Sequence, residues 1–429
     1  MTQPADAPPL RFWNHSFVVW LVASAQSQLG TALAGIALSF LVLHQTGRAG
    51  AMAVTLACSV GPNLFGPLAG AWVDRLPLKV SLIAADLLRG TLQLIVALLV
   101  LRLGSLPLWV INGAALLGGF AGIFAGPAGS AAFPQLVPQN QLARANGIFG
   151  GVSQGAWLVG TLAGGVLVVT LGPPVAILID GISFLLMAAL LLLVNLRKRE
   201  TVTGPRPTIF ADMRSGLRLI RRSRTLTLIP VIGLVLNSVL VLVTVVTPKL
   251  MEQLGAGAAG YGVFLAVESV GALLGGGLLA WLGTRISARR ASAAGLLACG
   301  LIYLVMARFS VYPVLLGCSL LLGFAFTVLN VPLNTLMQSM VPAAYLGWMF
   351  GVLGTVSTLG MPITLLLVSP LLDRYLAGLF FACSGGVMLA GCLAWVLVVR
   401  SEQVLPDLHA WAKQEGTREV TPDVTAAAD

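Results

Sequence analysis

About a dozen apolar stretches, each near the roughly 20 residues that cross a bilayer as a helix, follow one another along the chain with short polar gaps. They fall near residues 17–43, 50–72, 80–101, 107–130, 147–171, 174–196, 226–248, 259–283, 291–308, 313–336, 350–371 and 376–399. Backbone in hydrocarbon has no water to bond, so each segment must satisfy its own N–H and C=O groups as a helix. A soluble fold is excluded because 57% of residues are hydrophobic, 9% are charged and mean hydropathy is +0.94, more apolar surface than one water-soluble core encloses. The three histidines, His15, His44 and His409, are scattered, which argues against a His-based metal cluster or triad and against an enzyme. Neither a metal nor a cofactor is expected.

The net charge of +10 raises the question of nucleic acid, and the placement of the charges answers it. With the N-terminus in the cytoplasm, the inner side collects Arg11, Arg75, Lys79, Arg89, Arg144, nine residues between Arg197 and Arg224, Arg285, Arg289, Arg290, Arg400, Lys413 and Arg418. Only Arg48, Arg102, Lys249, Arg308 and Arg374 fall outside, so 20 of the 25 basic residues lie on one side. That asymmetry follows the positive-inside rule and predicts a bacterial-type cytoplasmic (inner) membrane protein with both termini cytoplasmic. No nucleic-acid partner is expected; the lipid bilayer is the expected surroundings. The peptide Ala23-Ser24-Ala25 resembles a signal-peptidase site, but the apolar run continues past it, so it reads as the middle of the first helix. The five cysteines, Cys58, Cys299, Cys318, Cys383 and Cys392, all fall in predicted spans with no ligand spacing and read as packing residues.

One segment interrupts the spans. Residues 197–225 carry nine basic residues and two prolines, and Ile209, Met213, Leu217 and Ile220 share one helical face there. The expected organisation is an N-terminal six-helix bundle over 1–196, a cytoplasmic linker with an amphipathic helix over 197–225, a C-terminal six-helix bundle over 226–399 and a disordered cytoplasmic tail over 400–429. The halves repeat weakly: Arg75 and Lys79 after the second span resemble Arg285 and Arg289 after the eighth, and QLVP at 135–138 resembles SMVP at 339–342. Parallel halves of this kind suit a carrier that holds substrate between them near the midplane. Two glycine rows, Gly118, Gly122 and Gly126 in the fourth span and Gly147, Gly151 and Gly155 in the fifth, predict faces of close helix approach.

Several stretches now add up. Gly70, Asp74, Arg75 and Lys79 form a charged loop after the second span; DLLRG at 86–90, GPAGSAAFPQLVP at 126–138, LARAN at 142–146, DGISF at 180–184 and NVPLNTLMQSMVP at 330–342 follow in order. In this series the chain resembles the major facilitator superfamily, and within it the branch of drug and siderophore exporters that includes macrolide-efflux and enterobactin-export proteins. The resemblance implies the major facilitator fold, twelve helices working by alternating access, and a cytoplasmic gate at the loop motif. The loop departs from the family pattern at Pro77, where glycine is usual, and at Leu78, where a basic residue is common. The fifth span carries a reduced form of the antiport pattern: Gly160, Gly164 and Gly165 match, while Thr161 stands in the proline position and Ala156 replaces a glycine.

Physically, the loop can act as a latch. Asp74 can accept from a helix N-terminus or pair with arginine, and Arg75, Lys79, Arg89 and Arg144 supply cations on the same side. Asp86 and Arg89, one turn apart, are positioned to pair. Glu268 is the sharpest candidate, because it stands about ten residues into the eighth span, where a charge costs about 2.5–3.5 kcal/mol on insertion scales. It serves either proton coupling or cation recognition, or else a structural hydrogen bond to a neighbouring helix. Asp180 is the next coupling candidate. The resemblance places spans 1, 4, 7 and 10 around the central cavity, flanked by 2, 5, 8 and 11. Gln26, Gln28, Asn63, Asn112, Asn237, Asn330, Asn334 and Gln338 are the polar candidates there, with Trp20 and Trp157. Amides also hold helices together in bilayers, so each has a packing alternative.

The expected activity is secondary active transport: proton-coupled export (antiport) of an amphipathic small molecule such as a drug or siderophore, with protons as the second partner and a monomer as the working unit. An uptake or uniport carrier without proton antiport is the alternative. An ATP-driven pump would need a separate partner chain, since no GxxxxGK[ST] loop occurs.

Overall fold

The computed structural model describes residues 11–66, 69, 76–196, 224–282, 285–340 and 343–401. Twelve long helices fill them: α1 His15–Thr46, α2 Ala49–Val60, α3 Leu78–Leu103, α4 Leu108–Ala132, α5 Leu142–Leu171, α6 Pro173–Leu193, α7 Arg224–Gln253, α8 Gly257–Leu282, α9 Ala288–Arg308, α10 Tyr312–Met340, α11 Ala343–Val368 and α12 Ala377–Ser401. Ten are long and apolar enough to cross a membrane, and the other two spans contain the shorter apolar helices Ala49–Phe65 and Val356–Val368. No strand occurs among the described residues. The expected linker at 197–225 and the tail lie almost wholly outside them.

Local chemistry sets the boundaries. Asn14 Oδ1 accepts from Phe17 N–H at 3.0 Å and starts α1. Gly47, at φ 65°, ends it in the left-handed conformation that glycine takes without a Cβ penalty. Consecutive helices run in opposite directions, so the bundle has a proximal face, carrying the start of α1 and the end of α12, and a distal face opposite.

Pairing of the helices displays the internal repeat. In the first half α1 packs on α5 and α6, α3 on α4 and α6, and α2 on α4. In the second half the same pattern recurs six helices later: α7 on α11 and α12, α9 on α10 and α12, α8 on α10. Even the glycine crossings repeat. A Cβ on Gly90 of α3 would stand 2.9 Å from the Gly181 carbonyl of α6, and a Cβ on Gly385 of α12 would stand 2.9 Å from the Gly300 carbonyl of α9. Gly90 and Gly181 belong to the DLLRG and DGISF stretches, so those stretches interlock two helices of one half. The halves meet through α5 against α8 and α2 against α11.

The expected glycine rows behave differently. Nothing lies within 4 Å of a Cβ built on Gly118, Gly122, Gly126, Gly147, Gly151 or Gly155. Those rows face open space rather than a neighbouring helix, and in the fourth span the close approach is offset by one residue: Gly119 meets the Ser59 carbonyl of α2. Outward-facing apolar residues such as Leu376 (84% exposed), Trp109 (76%) and Trp281 (74%) match a lipid surround.

Candidate functional site

A cavity of about 730 Å³ opens between the halves. The first half contributes Gln28 and Ser39 of α1 and Ser153, Gln154 and Trp157 of α5; the second contributes Thr244 of α7, Tyr261, Phe264 and Glu268 of α8, Tyr303 of α9 and Phe326 and Asn330 of α10. Its distal end is roofed by aromatic rings. Tyr261 and Phe264 stack at 6.4 Å, and Phe40 of α1 stands 6.2 Å from Tyr261 across the junction of the halves.

Glu268 is half-buried in the wall of that cavity. Among the described residues no hydrogen bond or ion pair reaches its carboxylate. The cavity wall mixes aromatic and aliphatic side chains with hydroxyls and amides such as Gln28, Gln154 and Asn330, none of which is bonded to the carboxylate, so its compensation is left to whatever enters the cavity.

Asp180 is placed differently. It is 1% exposed inside the first half, where Gln93 Nε2 donates to Oδ2 at 3.1 Å and Ser183 Oγ donates to Oδ1 at 3.4 Å. Gly30 of α1 makes room for it, since a Cβ there would stand 2.9 Å from Oδ1. Arg89 and Asp180 line one small chamber of about 190 Å³, which shares Gly35, Ser39, Leu56 and Thr244 with the central cavity. Arg89 also lines a side chamber of about 500 Å³ bordered by Asn63 and the open glycines Gly118, Gly122 and Gly126. Asp180 is thus a held group, Glu268 an unheld one.

The gate motif is partly visible. Gly70, Asp74 and Arg75 lie outside the described residues. Lys79 Nζ donates to the Leu192 and Val194 carbonyls at 2.8 and 3.0 Å, capping the C-terminal end of α6 within its own half. Arg144 lies over the Phe12 ring at 4.7 Å. The expected pair of Asp86 with Arg89 does not form within 4.0 Å, because the Arg89 guanidinium turns onto the Phe184 ring at 4.0 Å while Asp86 stays buried at 5% exposure.

The polar cavity candidates separate in the same way. Gln28 and Asn330 line the central cavity and Asn63 the side chamber. Gln26 instead donates to the Ser183 carbonyl at 2.8 Å, tying α1 to α6, and Asn112 accepts from Thr55 Oγ1 at 2.7 Å, tying α4 to α2. Asn237 and Asn334 donate to carbonyls one turn back in their own helices. The side chain of Gln338 lies outside the description. Trp157 lines the cavity, whereas Trp20 is buried at 4% in the proximal core. Spans 5 and 8 contribute walls where the resemblance gave span 4 that place; among the described residues α4 lines the side chamber. The aromatic wall was missed. Its signal was present, because Tyr261 and Phe264 precede Glu268 by seven and four residues and so share its helical face.

In the antiport-like stretch, a Cβ on Gly160 would stand 2.7 Å from the Leu29 carbonyl of α1, and one on Gly164 would stand 3.0 Å from Leu33 Cα. Gly165 faces the other half: its Cβ would stand 2.8 Å from the Ala258 carbonyl, and a Cβ on Gly262 would stand 2.6 Å from the Thr161 carbonyl. These residues are the closest backbone crossing between α5 and α8 that the glycines reveal.

Residues 20–365 and 234–416 match the sequence profile of the Major Facilitator Superfamily. The chain belongs to the major facilitator superfamily. Among similar proteins of this superfamily, macrolide efflux protein A of Streptococcus pyogenes is 24% identical over 91% of this chain and 97% of its own length. Multidrug efflux pump Tap of Mycobacterium bovis is 26% identical over 87% of this chain and 91% of its own. The structure resembles the nucleoside transporter NupG (TM-score 0.69, 10% identity, 90% and 99% of the two chains). It also resembles a bacterial homologue of the iron transporter ferroportin in an inward-facing state (TM-score 0.68, 16% identity, 90% and 99%). These structures support the major facilitator fold. The chain is a multi-pass membrane transporter whose relatives are efflux proteins.

Proposed function

We propose that this major facilitator protein is a proton-coupled exporter (antiporter) of amphipathic small molecules, drugs or siderophores, working by alternating access. The observation that carries the reading is the Glu268 carboxylate, without a partner among the described residues, in a cavity between the halves lined by aromatic rings, hydroxyls and amides. A carboxylate without a fixed partner is neutralised by a proton or by a cationic or donor group on the substrate. One occupant excludes the other, and that exclusion is the elementary condition for antiport. The similarity to two efflux proteins supports the direction. The 20 basic residues assigned to the proximal side support a cytoplasmic placement of that face and both termini. A proton moving down about 100 mV supplies about 2.3 kcal/mol, enough at about 1.4 kcal/mol per decade for a gradient of roughly fiftyfold.

The test is to reconstitute wild type and Glu268→Gln in vesicles and record lumenal pH while adding cationic dyes, macrolides or catechol siderophores. Ligand-evoked proton flux in wild type, absent in the variant, is the expected result. Equal flux in both would remove Glu268 as the coupler, and transport without proton movement in either would replace antiport by uniport.

A further inference from the structure

The α2 helix begins without a cap from its own half. Arg48 stands at the N-cap position with no side-chain hydrogen bond to the helix, so the first N–H groups must find acceptors elsewhere. They find one carboxylate from the other half. Asp373, in the turn between α11 and α12, accepts from Ala49 N–H through Oδ1 at 2.9 Å and from Gly50 N–H through Oδ2 at 3.1 Å. Lys249 Nζ, at the distal end of α7, donates to Oδ1 at 2.7 Å, and Arg48 Nε lies 3.7 Å from Oδ2. Gly50 is required for this seat, because a Cβ there would stand 2.9 Å from Asp373 Oδ2 and meet the Ser369 carbonyl.

The partners divide by half. Lys249 and Asp373 both belong to the second half, so their pair persists however the halves move and holds the carboxylate in position. The two backbone bonds and the Arg48 contact join the first half to the second. They exist only while the distal ends of α2 and α11 are together. Only interactions that differ between two states shift the balance between them.

We propose that Asp373 is the positioning residue that clamps the distal face shut, acting as the N-terminal cap of α2 supplied from the opposite half, with Lys249 as the arm that presents it. The clamp rests on alternating access but not on protons or on substrate identity. It has a signature that separates it from a plain ion pair. Exchanging the charges, Asp373→Lys with Lys249→Asp, restores an ion pair but brings an ammonium to a helix N-terminus that favours an anion, so the exchange leaves the clamp broken.

The experiment measures a spin-label distance across the distal face, between Leu103→Cys at the end of α3 and Phe309→Cys after α9, in a background whose five native cysteines are serine. Loss of charge-assisted hydrogen bonds at a partly exposed site is expected to move Asp373→Ala about tenfold toward the longer distance, equivalent to about 1.4 kcal/mol. Asp373→Asn, isosteric and still an acceptor, moves part of the way, Lys249→Met moves in the same direction by less, and the charge exchange resembles Asp373→Ala. A monodisperse Asp373→Asn or Asp373→Ala protein with the wild-type distribution overturns the clamp, provided Gly262→Val opens the same label pair. If no variant, Gly262→Val included, populates the longer distance, alternating access itself fails.

Discussion

Substituting Gly262 by alanine is expected to open the distal face by obstruction rather than by loss of a bond. The added Cβ would stand 2.6 Å from the Thr161 carbonyl oxygen and 3.0 Å from Gly165 Cα, both backbone atoms on α5, where ordinary contacts begin near 3.4 Å. Neither atom can swing away as a side-chain tip would. Relief therefore requires α5 and α8 to separate by several tenths of an ångström to about 1 Å along their crossing, and overpacking of this kind costs about 1–3 kcal/mol. The gain of helix propensity on replacing glycine, about 0.5–1 kcal/mol, accrues equally in both states and cancels. The full strain is felt only when the halves are closed distally, so the equilibrium should move about 5- to 150-fold toward the distal-open state. The Leu103 and Phe309 label pair reads this directly, with Gly151→Ala as the control because nothing lies within 4 Å of a Cβ there. A Gly262→Ala distribution equal to wild type, or an equal shift in Gly151→Ala, would refute the reasoning.

Burial by itself would raise Asp373, but the Lys249 ammonium and the Gly50 and Ala49 N–H groups outweigh it and hold the carboxyl below its ordinary value, with Arg48 the other cation facing it. Its contribution to distal closure is therefore complete above about pH 4 and is lost only as pH falls through the lowered value; the shift in label distance between wild type and Asp373→Ala should be the same at about pH 8 and pH 5, and a shift that disappears near pH 6 would contradict this. Lys79→Met removes two bonds to the α6 carbonyl end and should cost about 0.5–1.5 kcal/mol, measured as a lower midpoint in thermal unfolding, with ligand affinity unchanged. Thr55→Val removes the donor to Asn112 Oδ1 between α2 and α4 and should cost about 0.5–1.5 kcal/mol because the bond is lost at a part-buried site, whereas Asn330→Leu, at the cavity wall, should alter ligand selectivity with little change in that midpoint.

The helical class, the number of segments and the two-fold repeat are legible in the amino-acid order because hydrocarbon leaves a membrane segment one local solution and charge asymmetry fixes which loops share a side. Glu268 stands out for the same reason: a carboxylate in the middle of an apolar helix is costly wherever its neighbours are. What those neighbours are depends on how helices rotate and cross. That is why Gln26 and Asn112 tie helices together while Gln28 and Asn330 line the cavity, although all four are amides in apolar segments. It is also why Gly119, not Gly118, carries the close approach, since neighbouring residues on a helix point about 100° apart and sequence period alone does not state which face meets a partner. Asp86 and Arg89 satisfy the spacing for a pair, yet the guanidinium finds Phe184, a residue almost a hundred positions away. Asp373 is the fullest case: in sequence it is one acid in a loop, and only folding brings it to the bare N-terminus of α2, 324 residues distant from Ala49, where it joins the halves. Composition and local hydrogen-bond demand thus determine the helices and their topology, while the tertiary structure decides which polar groups face each other, because that is set by long-range packing.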